Sequence, residues 1–129
     1  MATWDDVDRI ARELPDVVAG TDGFGQLKWE VRKQYFVYER PLRKKDLQEL
    51  GADAPTGDIL GVRVAELDDK LGLIGSNPDV FFTIPHYANY PAVLVQLDKI
   101  SLEQLREVVT DAWLARAPRT LAAKYLAAE

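Results

Sequence analysis

The stretch Asp79–Leu97, DVFFTIPHYANYPAVLVQL, constrains the fold of this chain more than any other. Two runs of β-branched and aromatic residues within it, Val80–Ile84 and Ala92–Leu97, favour β-strands. The connection between the runs begins at Pro85, ends at Pro91 and carries the single histidine and two of the five tyrosines. The pattern predicts the central hairpin of a sheet, with a rigid polar and aromatic loop displayed between its strands.

The length and composition predict one globular domain spanning residues 1–129. A chain of 129 residues buries roughly two thirds of its unfolded surface, so it needs no disulfide or metal to fold. The absence of cysteine excludes disulfides, zinc-thiolate sites and thiol nucleophiles, and it fits a reducing compartment. We find no basic-flanked apolar leader and no run near the ~20 apolar residues of a membrane helix. We therefore expect a cytoplasmic protein without membrane contact.

Hydrophobic periodicity predicts alternating helical and extended segments, and hence an α+β fold. Apolar residues recur at helical spacing in Thr3–Leu14, Arg43–Leu50, Leu67–Ile74, the segment that begins at Ser101 and ends before Pro118, and Arg119–Ala128. Alternation predicts strands at Ile59–Val64 and in a hairpin of Gln26–Val31 and Gln34–Glu39 that turns at Arg32 and Lys33. Thr3 and Ser101 are the expected N-caps. Gly20–Gly25 is predicted as a turn, because no helix follows it to receive a phosphate.

The charge is unevenly distributed along the sequence. The net charge is −5, yet the segment 28–45 holds seven basic and two acidic residues, a net of +5, which leaves −10 elsewhere. Overall acidity argues against a general nucleic-acid binder. The basic segment nevertheless predicts weak, salt-sensitive phosphate contacts with DNA through Arg32, Lys33, Arg40, Arg43, Lys44 and Lys45. The alternative, that these residues are an ordinary solvated hairpin tip and helix start, stays open.

No catalytic constellation is recognisable in the sequence. His86 is the only histidine base, and the two serines stand in a turn (Ser76) and at a predicted helix cap (Ser101) rather than in a nucleophile elbow. No clustered metal-ligand spacing is present. We therefore predict a non-enzymatic protein without cofactor or metal, although carboxylates that meet only in the fold leave acid–base catalysis open.

The connection between the two strand runs is a second candidate surface. His86, Tyr87 and Tyr90 supply rings for stacking and polar atoms for hydrogen bonds, so they predict binding of a protein or a small ligand. The other interpretation is that Pro85 and Pro91 rigidify a hairpin whose rings pack on the sheet. Both interpretations stand at this point.

The sequence resembles the MmcQ/YjbR-like family over nearly its whole length. The resemblance is carried by the early segments LPDV and GFGQLKWEVRKQYFVYERP, by PDVFFTIPHYANYPAVLVQLD, and by the later helix ending DAWLARAPRTLAAKYL, in this order along the chain and without a large insertion. It implies a single α+β domain in which helices flank an antiparallel sheet, similar to a double-wing arrangement. It also implies DNA binding, and it carries no catalytic signature.

Overall fold

The computed structural model describes residues 2–128 and has an α+β fold. Its helices are α1 (Trp4–Arg12), α2 (Lys44–Leu50), α3 (Leu67–Ser76), α4 (Leu102–Arg116) and α5 (Arg119–Ala128). Its strands are β1 (Val17–Thr21), β2 (Leu27–Val31), β3 (Gln34–Glu39), β4 (Ile59–Arg63), β5 (Phe81–Phe82) and β6 (Ala92–Gln96). Short 3₁₀ turns lie at Gly51–Asp53 and Pro85–Tyr87. No helix in this range is long and apolar enough to cross a membrane.

The six strands form one antiparallel sheet in the order β1-β2-β3-β4-β6-β5. The antiparallel α+β prediction is confirmed. The prediction of a central hairpin at Val80–Ile84 and Ala92–Leu97 is wrong, because β5 keeps only two residues and lies at the sheet edge. Pro85 has no N–H for a ladder and starts a 3₁₀ turn, so the first run ends early. Strand β6 is the interior member and pairs with β4 as well.

Strand β1 was not predicted from the sequence. It pairs with β2 from Val17 opposite Val31 to Thr21 opposite Leu27, so Gly20 lies in a strand and not in a turn. The turn that follows is built by Asp22, whose carboxylate accepts hydrogen bonds from the N–H groups of Phe24 (2.8 Å) and Gln26 (3.0 Å). The segment is a hairpin turn rather than a phosphate loop.

The β2–β3 hairpin is confirmed, with an irregularity in its register. Arg32 and Lys33 have φ angles of 48° and 70°, as expected for a two-residue hairpin turn. Trp29 pairs with Val37 whereas Glu30 pairs with Tyr35, so β3 contains one extra residue. Because of this extra residue, Phe36 and Val37 are both buried in the main core, while Tyr35 and Tyr38 meet on the opposite face.

The main core lies between one face of the sheet and helices α1 and α4. Its largest fully buried side chains include Trp29, Phe36, Phe81, Ile10 and Trp113. Both predicted caps are confirmed: Thr3 Oγ1 accepts from the N–H of Asp6, and Ser101 Oγ accepts from the N–H of Gln104 (3.1 Å). Leu47 in α2 and Leu102 in α4 are about half exposed, at 45% and 46%.

A smaller apolar cluster lies on the opposite face of the sheet. Its buried members are Ile59, Ile84, Tyr87, Ala92 and Leu94, with Tyr38, Leu42, Leu50, Phe82 and Tyr90 packed around them. Helix α2 and the connection after β5 supply the covering side chains, and they cover the β4 and β6 part of this face. Lys28, Glu30 and Tyr35 on β2 and β3 stay at least partly exposed. The open part of the sheet therefore adjoins the aromatic connection.

Candidate binding site on the open sheet face

Four of the five tyrosines meet where β3 faces the connection between β5 and β6. The hydroxyl groups of Tyr38 and Tyr87 are 2.9 Å apart, and those of Tyr35 and Tyr90 are 2.7 Å apart. Ring edges pack against ring faces within each element, with centroids 5.2 Å apart in β3 and 5.1 Å apart in the connection. The strand and the connection are thus joined by two phenol–phenol hydrogen bonds.

Three arginines lie against these rings. The guanidinium carbon of Arg63 is 4.9 Å from the centre of the Tyr90 ring and 5.9 Å from that of Tyr35. Arg116 lies 5.8 Å from the Tyr35 ring centre, and Arg40 lies 5.4 Å from that of Tyr87. We name these seven residues, Tyr35, Tyr38, Tyr87, Tyr90, Arg40, Arg63 and Arg116, the tyrosine–arginine face. Cation–π contacts of this kind contribute about 0.5–2 kcal/mol each.

The aromatic connection is held in place by a buried lysine. Lys70 on α3 is only 2% exposed, and its Nζ donates to the backbone carbonyls of Tyr87 and Tyr90, the second at 3.2 Å. Burial lowers the pKa of Lys70. Arg63 adds a further anchor, since its Nε donates to the carbonyl of Pro91 at 3.1 Å. The connection is therefore a fixed wall of the site rather than a mobile loop.

Two phenols of this face, those of Tyr38 and Tyr90, have raised pKa values. Burial raises the pKa of Tyr38, and the neighbouring phenol of Tyr87 raises it further. Burial, followed by the hydrogen bond with Tyr35, raises the pKa of Tyr90 to about 12. Both hydroxyls therefore stay protonated at neutral pH, where each donates and accepts hydrogen bonds.

The structure corrects the predicted role of Arg40 as a DNA contact. Arg40 is 6% exposed, its Nη2 lies 3.2 Å from Oδ2 of Asp46, and its Nη1 donates to the carbonyl of Pro41. Asp46 also accepts from the N–H of Arg43 at 2.9 Å, which fixes the start of α2. Because its charge is paired inside the protein, Arg40 is not available to an external phosphate.

The other predicted basic residues do not form one surface. Arg32 and Lys33 are exposed at the hairpin tip, where Arg32 Nε pairs with Asp16 Oδ2 at 2.7 Å. Strand β3 has six residues and spans roughly 20 Å, so this tip lies at the far end from α2. Arg43, Lys44 and Lys45 are exposed together at the α2 start. The predicted basic patch is thus divided in two.

The predicted aromatic surface and the α2 start meet in one groove. Two cavities of about 320 and 290 Å³ adjoin through shared lining residues, Arg40, Arg43 and His86. Tyr35, Tyr38 and Tyr87 line the first cavity, and Lys45 and Pro85 line the second. We name the two cavities together the sheet groove. His86 is exposed there, whereas Tyr87 is only 8% exposed and Tyr90 is half-buried, so the rings pack on the sheet.

The charges of the sheet groove are balanced. Four cationic side chains, Lys28, Arg40, Arg43 and Lys45, are matched by Asp22, Glu39, Asp46 and Glu49. No three histidine, aspartate or glutamate side chains within residues 2–128 are arranged to hold a metal ion. The groove therefore combines aromatic walls, phenol hydroxyls and a few exposed cations without a strong net charge.

Related proteins occur in mycobacteria. The chain is 45% identical over 130 residues to the uncharacterized proteins Rv2570 of Mycobacterium tuberculosis and Mb2600 of Mycobacterium bovis, with 98% of each chain covered. The chain belongs to the family of these proteins. No protein-family model matches the sequence. The crystal structure of Deinococcus radiodurans protein DR2400, a DUF419 domain, is similar at a TM-score of 0.64 and 20% identity, over 88% of this chain and 78% of that one. DUF419 is the YjbR/MmcQ-like family. The TM-score shows that the two proteins share a fold.

Within this family fold, sequence reasoning missed three residues that build the site: Arg63, Lys70 and Arg116. Arg63 follows the apolar run ILGV. A cation at the end of such a run is the one local indication of a functional role that the sequence offered. Arg116 lies in the last turn of α4, where a basic residue is expected from the helix dipole alone. Lys70 lies in a short helix with no feature to distinguish it from a solvated lysine. All three are identified only by their tertiary partners.

Proposed function

We propose that this protein is a non-enzymatic member of the MmcQ/YjbR-like family that binds a small ligand in the sheet groove. One observation carries the proposal: exposed Arg43 and His86 adjoin the tyrosine rings in a single groove. Its two cavities, about 320 and 290 Å³, are close to the lower limit of roughly 300 Å³ for ligand pockets. The resemblance to the family and the shared fold support the family assignment.

The chemistry of the groove indicates a ligand with a planar ring and one acidic group. The ring of Tyr35 is 37% exposed and offers a stacking surface. The guanidinium of Arg43 suits a carboxylate or phosphate, which it binds through two parallel hydrogen bonds. The imidazole of His86 supplies a further donor. The balanced charge of the walls favours a ligand with few charges over a polyanion.

Titration with adenosine monophosphate and with 4-hydroxybenzoate tests this proposal. We expect saturable shifts of the backbone amide signals of Tyr35, Arg43 and Tyr87 in ¹H–¹⁵N spectra. Arg43→Gln should weaken binding about tenfold, the effect of losing one charge-assisted contact. Lys124→Gln removes an exposed cation on α5 and serves as the matched control. Absence of saturable shifts with both probes, or equal binding by the two variants, would contradict the proposal.

Weak DNA binding is the second candidate function. It is favoured by Arg43, Lys44 and Lys45, three consecutive exposed cations at the start of α2, none of which pairs with a carboxylate in the range 2–128. Phosphate contacts by these residues would be insensitive to sequence and sensitive to salt.

Fluorescence anisotropy with single- and double-stranded oligonucleotides at two salt concentrations distinguishes the candidates. If DNA binds, replacing Arg43, Lys44 and Lys45 with glutamine should lower the slope of log K against log salt by about 2–3. The paired substitution Arg32→Gln and Lys33→Gln, at the far end of β3, is the control. DNA binding is excluded if no complex forms at low salt, or if the triple substitution leaves the affinity unchanged.

A further inference from the structure

A second cavity shares no lining residue with the sheet groove. It has a volume of about 580 Å³ and lies between the end of β4, helix α3 and helix α4. Its walls are largely aliphatic, with Val64, Leu73, Val108 and Leu114 among the lining side chains. A space of this size with apolar walls is typical of a ligand site.

The polar lining of this cavity is dominated by carboxylates. Asp68 and Asp69 come from the first turn of α3, and Asp111 comes from α4. Oδ2 of Asp69 accepts from the N–H of Glu66 at 3.1 Å. Asp68 and Asp111 have no hydrogen-bond or ion-pair partner among the side chains of residues 2–128. Two carboxylates therefore line the cavity without an ion-pair partner among the described residues.

Arg63, the one basic residue of the lining, donates its hydrogen bonds to groups other than the cavity carboxylates. Its Nε donates to the carbonyl of Pro91, and its Nη1 donates to the hydroxyl of Tyr90 at 3.1 Å. Burial raises the pKa of Asp111, and the nearby charge of Asp69 raises it further. Asp111 is an exposed residue, and none of the ion pairs within residues 2–128 involves it.

We propose that this cavity binds an organic cation, an amine that carries an apolar body. The aliphatic walls take the apolar part, because its transfer from water is favourable. The ammonium group pairs with Asp111 and offsets the repulsion between Asp111 and Asp69. A metal ion suits the cavity less well, since no three acidic or histidine groups in the described part of the chain are placed to ligate one.

Tryptamine is the probe for this proposal, and indole-3-propionate, which has a similar ring and the opposite charge, is its control. Titrations of the full chain near pH 7, followed by ¹H–¹⁵N spectra, should give saturable shifts at Val64, Asp111 and Leu114 with tryptamine only. Asp111→Asn should weaken tryptamine binding about tenfold. Asp53→Asn removes an exposed carboxylate outside the cavity lining and should leave the affinity unchanged.

A second variant fills the cavity without disturbing the fold. A Cβ placed on Gly72, which lines the cavity from α3, meets no atom within 4 Å. The Cβ of leucine therefore has open space at this position, and leucine has a higher helix propensity than glycine, so we expect Gly72→Leu to be a folded protein that no longer binds tryptamine.

Three results would each overturn the proposal: no saturable shifts with tryptamine, equal binding of indole-3-propionate, or unchanged affinity in both Asp111→Asn and Gly72→Leu. The sheet groove is tested separately, because Asp111→Asn should leave the titrations with adenosine monophosphate and 4-hydroxybenzoate unchanged.

Discussion

Replacing Gly61 with alanine tests how tightly the tyrosine–arginine face is packed. Gly61 lies in β4, opposite Tyr38 on one side and Leu94 on the other. A Cβ at this position would lie 2.4 Å from Cε2 and Cζ of the Tyr38 ring, whereas non-bonded carbon atoms prefer about 3.5–4.0 Å. The ring has little freedom to move, because its hydroxyl meets that of Tyr87 and its neighbour Tyr35 packs edge-on against it.

Two effects of opposite sign determine the free energy of unfolding of Gly61→Ala. Alanine restricts the unfolded chain, which stabilises a protein by about 0.4–1 kcal/mol where the native backbone tolerates it. Overpacking against the Tyr38 ring costs about 1–3 kcal/mol, and disturbing its hydrogen bond with Tyr87 costs about 1 kcal/mol more. We expect a net loss of about 1–3 kcal/mol. For a chain of this length, each kcal/mol lowers Tm by roughly 4 °C.

Urea denaturation followed by tryptophan fluorescence measures this loss, since Trp29 and Trp113 are buried. The decisive comparison uses Tyr38→Leu, which removes the ring that the new methyl group would strike. In that background Gly61→Ala should be neutral or stabilising. Stabilisation in the otherwise native chain, or the same cost in both backgrounds, would refute the packing argument.

Three further predictions concern charged side chains, two of them buried and one exposed. Asp46→Ala should lower the free energy of unfolding, measured by urea denaturation, by about 3–5 kcal/mol, because it leaves the Arg40 guanidinium buried without its partner. Adding Arg40→Met should recover most of this loss. Lys70→Met should cost about 1–3 kcal/mol and speed amide hydrogen exchange at Tyr90, because the carbonyls of the connection lose their donor. The pKa of Asp111 is raised in the folded state, so its protonation stabilises the fold at low pH, and that stability is lost as the pH rises through the raised pKa. Solvent screens the charge of Asp111, because the residue is exposed. Asp111→Asn should therefore increase stability slightly near pH 7 and have no effect near pH 3, as measured by thermal unfolding; a larger gain at pH 3 would contradict this.

Features governed by neighbours in the sequence were predictable. The caps at Thr3 and Ser101 depend on contacts three residues away, and both are present. The turn at Arg32 and Lys33 follows from two alternating runs separated by two residues. Strand β4 lies at Ile59–Arg63, within the predicted strand Ile59–Val64.

Features governed by tertiary partners were not predictable from local patterns. Strand β1 is only five residues long, contains Gly20, and is defined by its pairing with β2. The extra residue in β3 reverses the sheet face on which the following side chains of this strand lie. The strand has no glycine or typical turn residue that would have predicted it. The candidate site depends on the same kind of contact: Arg40 is buried only because the chain returns through α2 and places Asp46 beside it.

The strand order has a consequence for how the chain emerges during synthesis. Strands β1 to β4 follow one another both in the sequence and in the sheet, so each new strand pairs with the strand that was translated before it. The partner on the far side of β4 is β6, and helix α3 and strand β5 are translated before it. Until β6 leaves the ribosome, the apolar edge of β4 has unpaired backbone groups, and β5 has no strand to join. This interval is the one in which a nascent chain would gain most from a chaperone that covers strand edges.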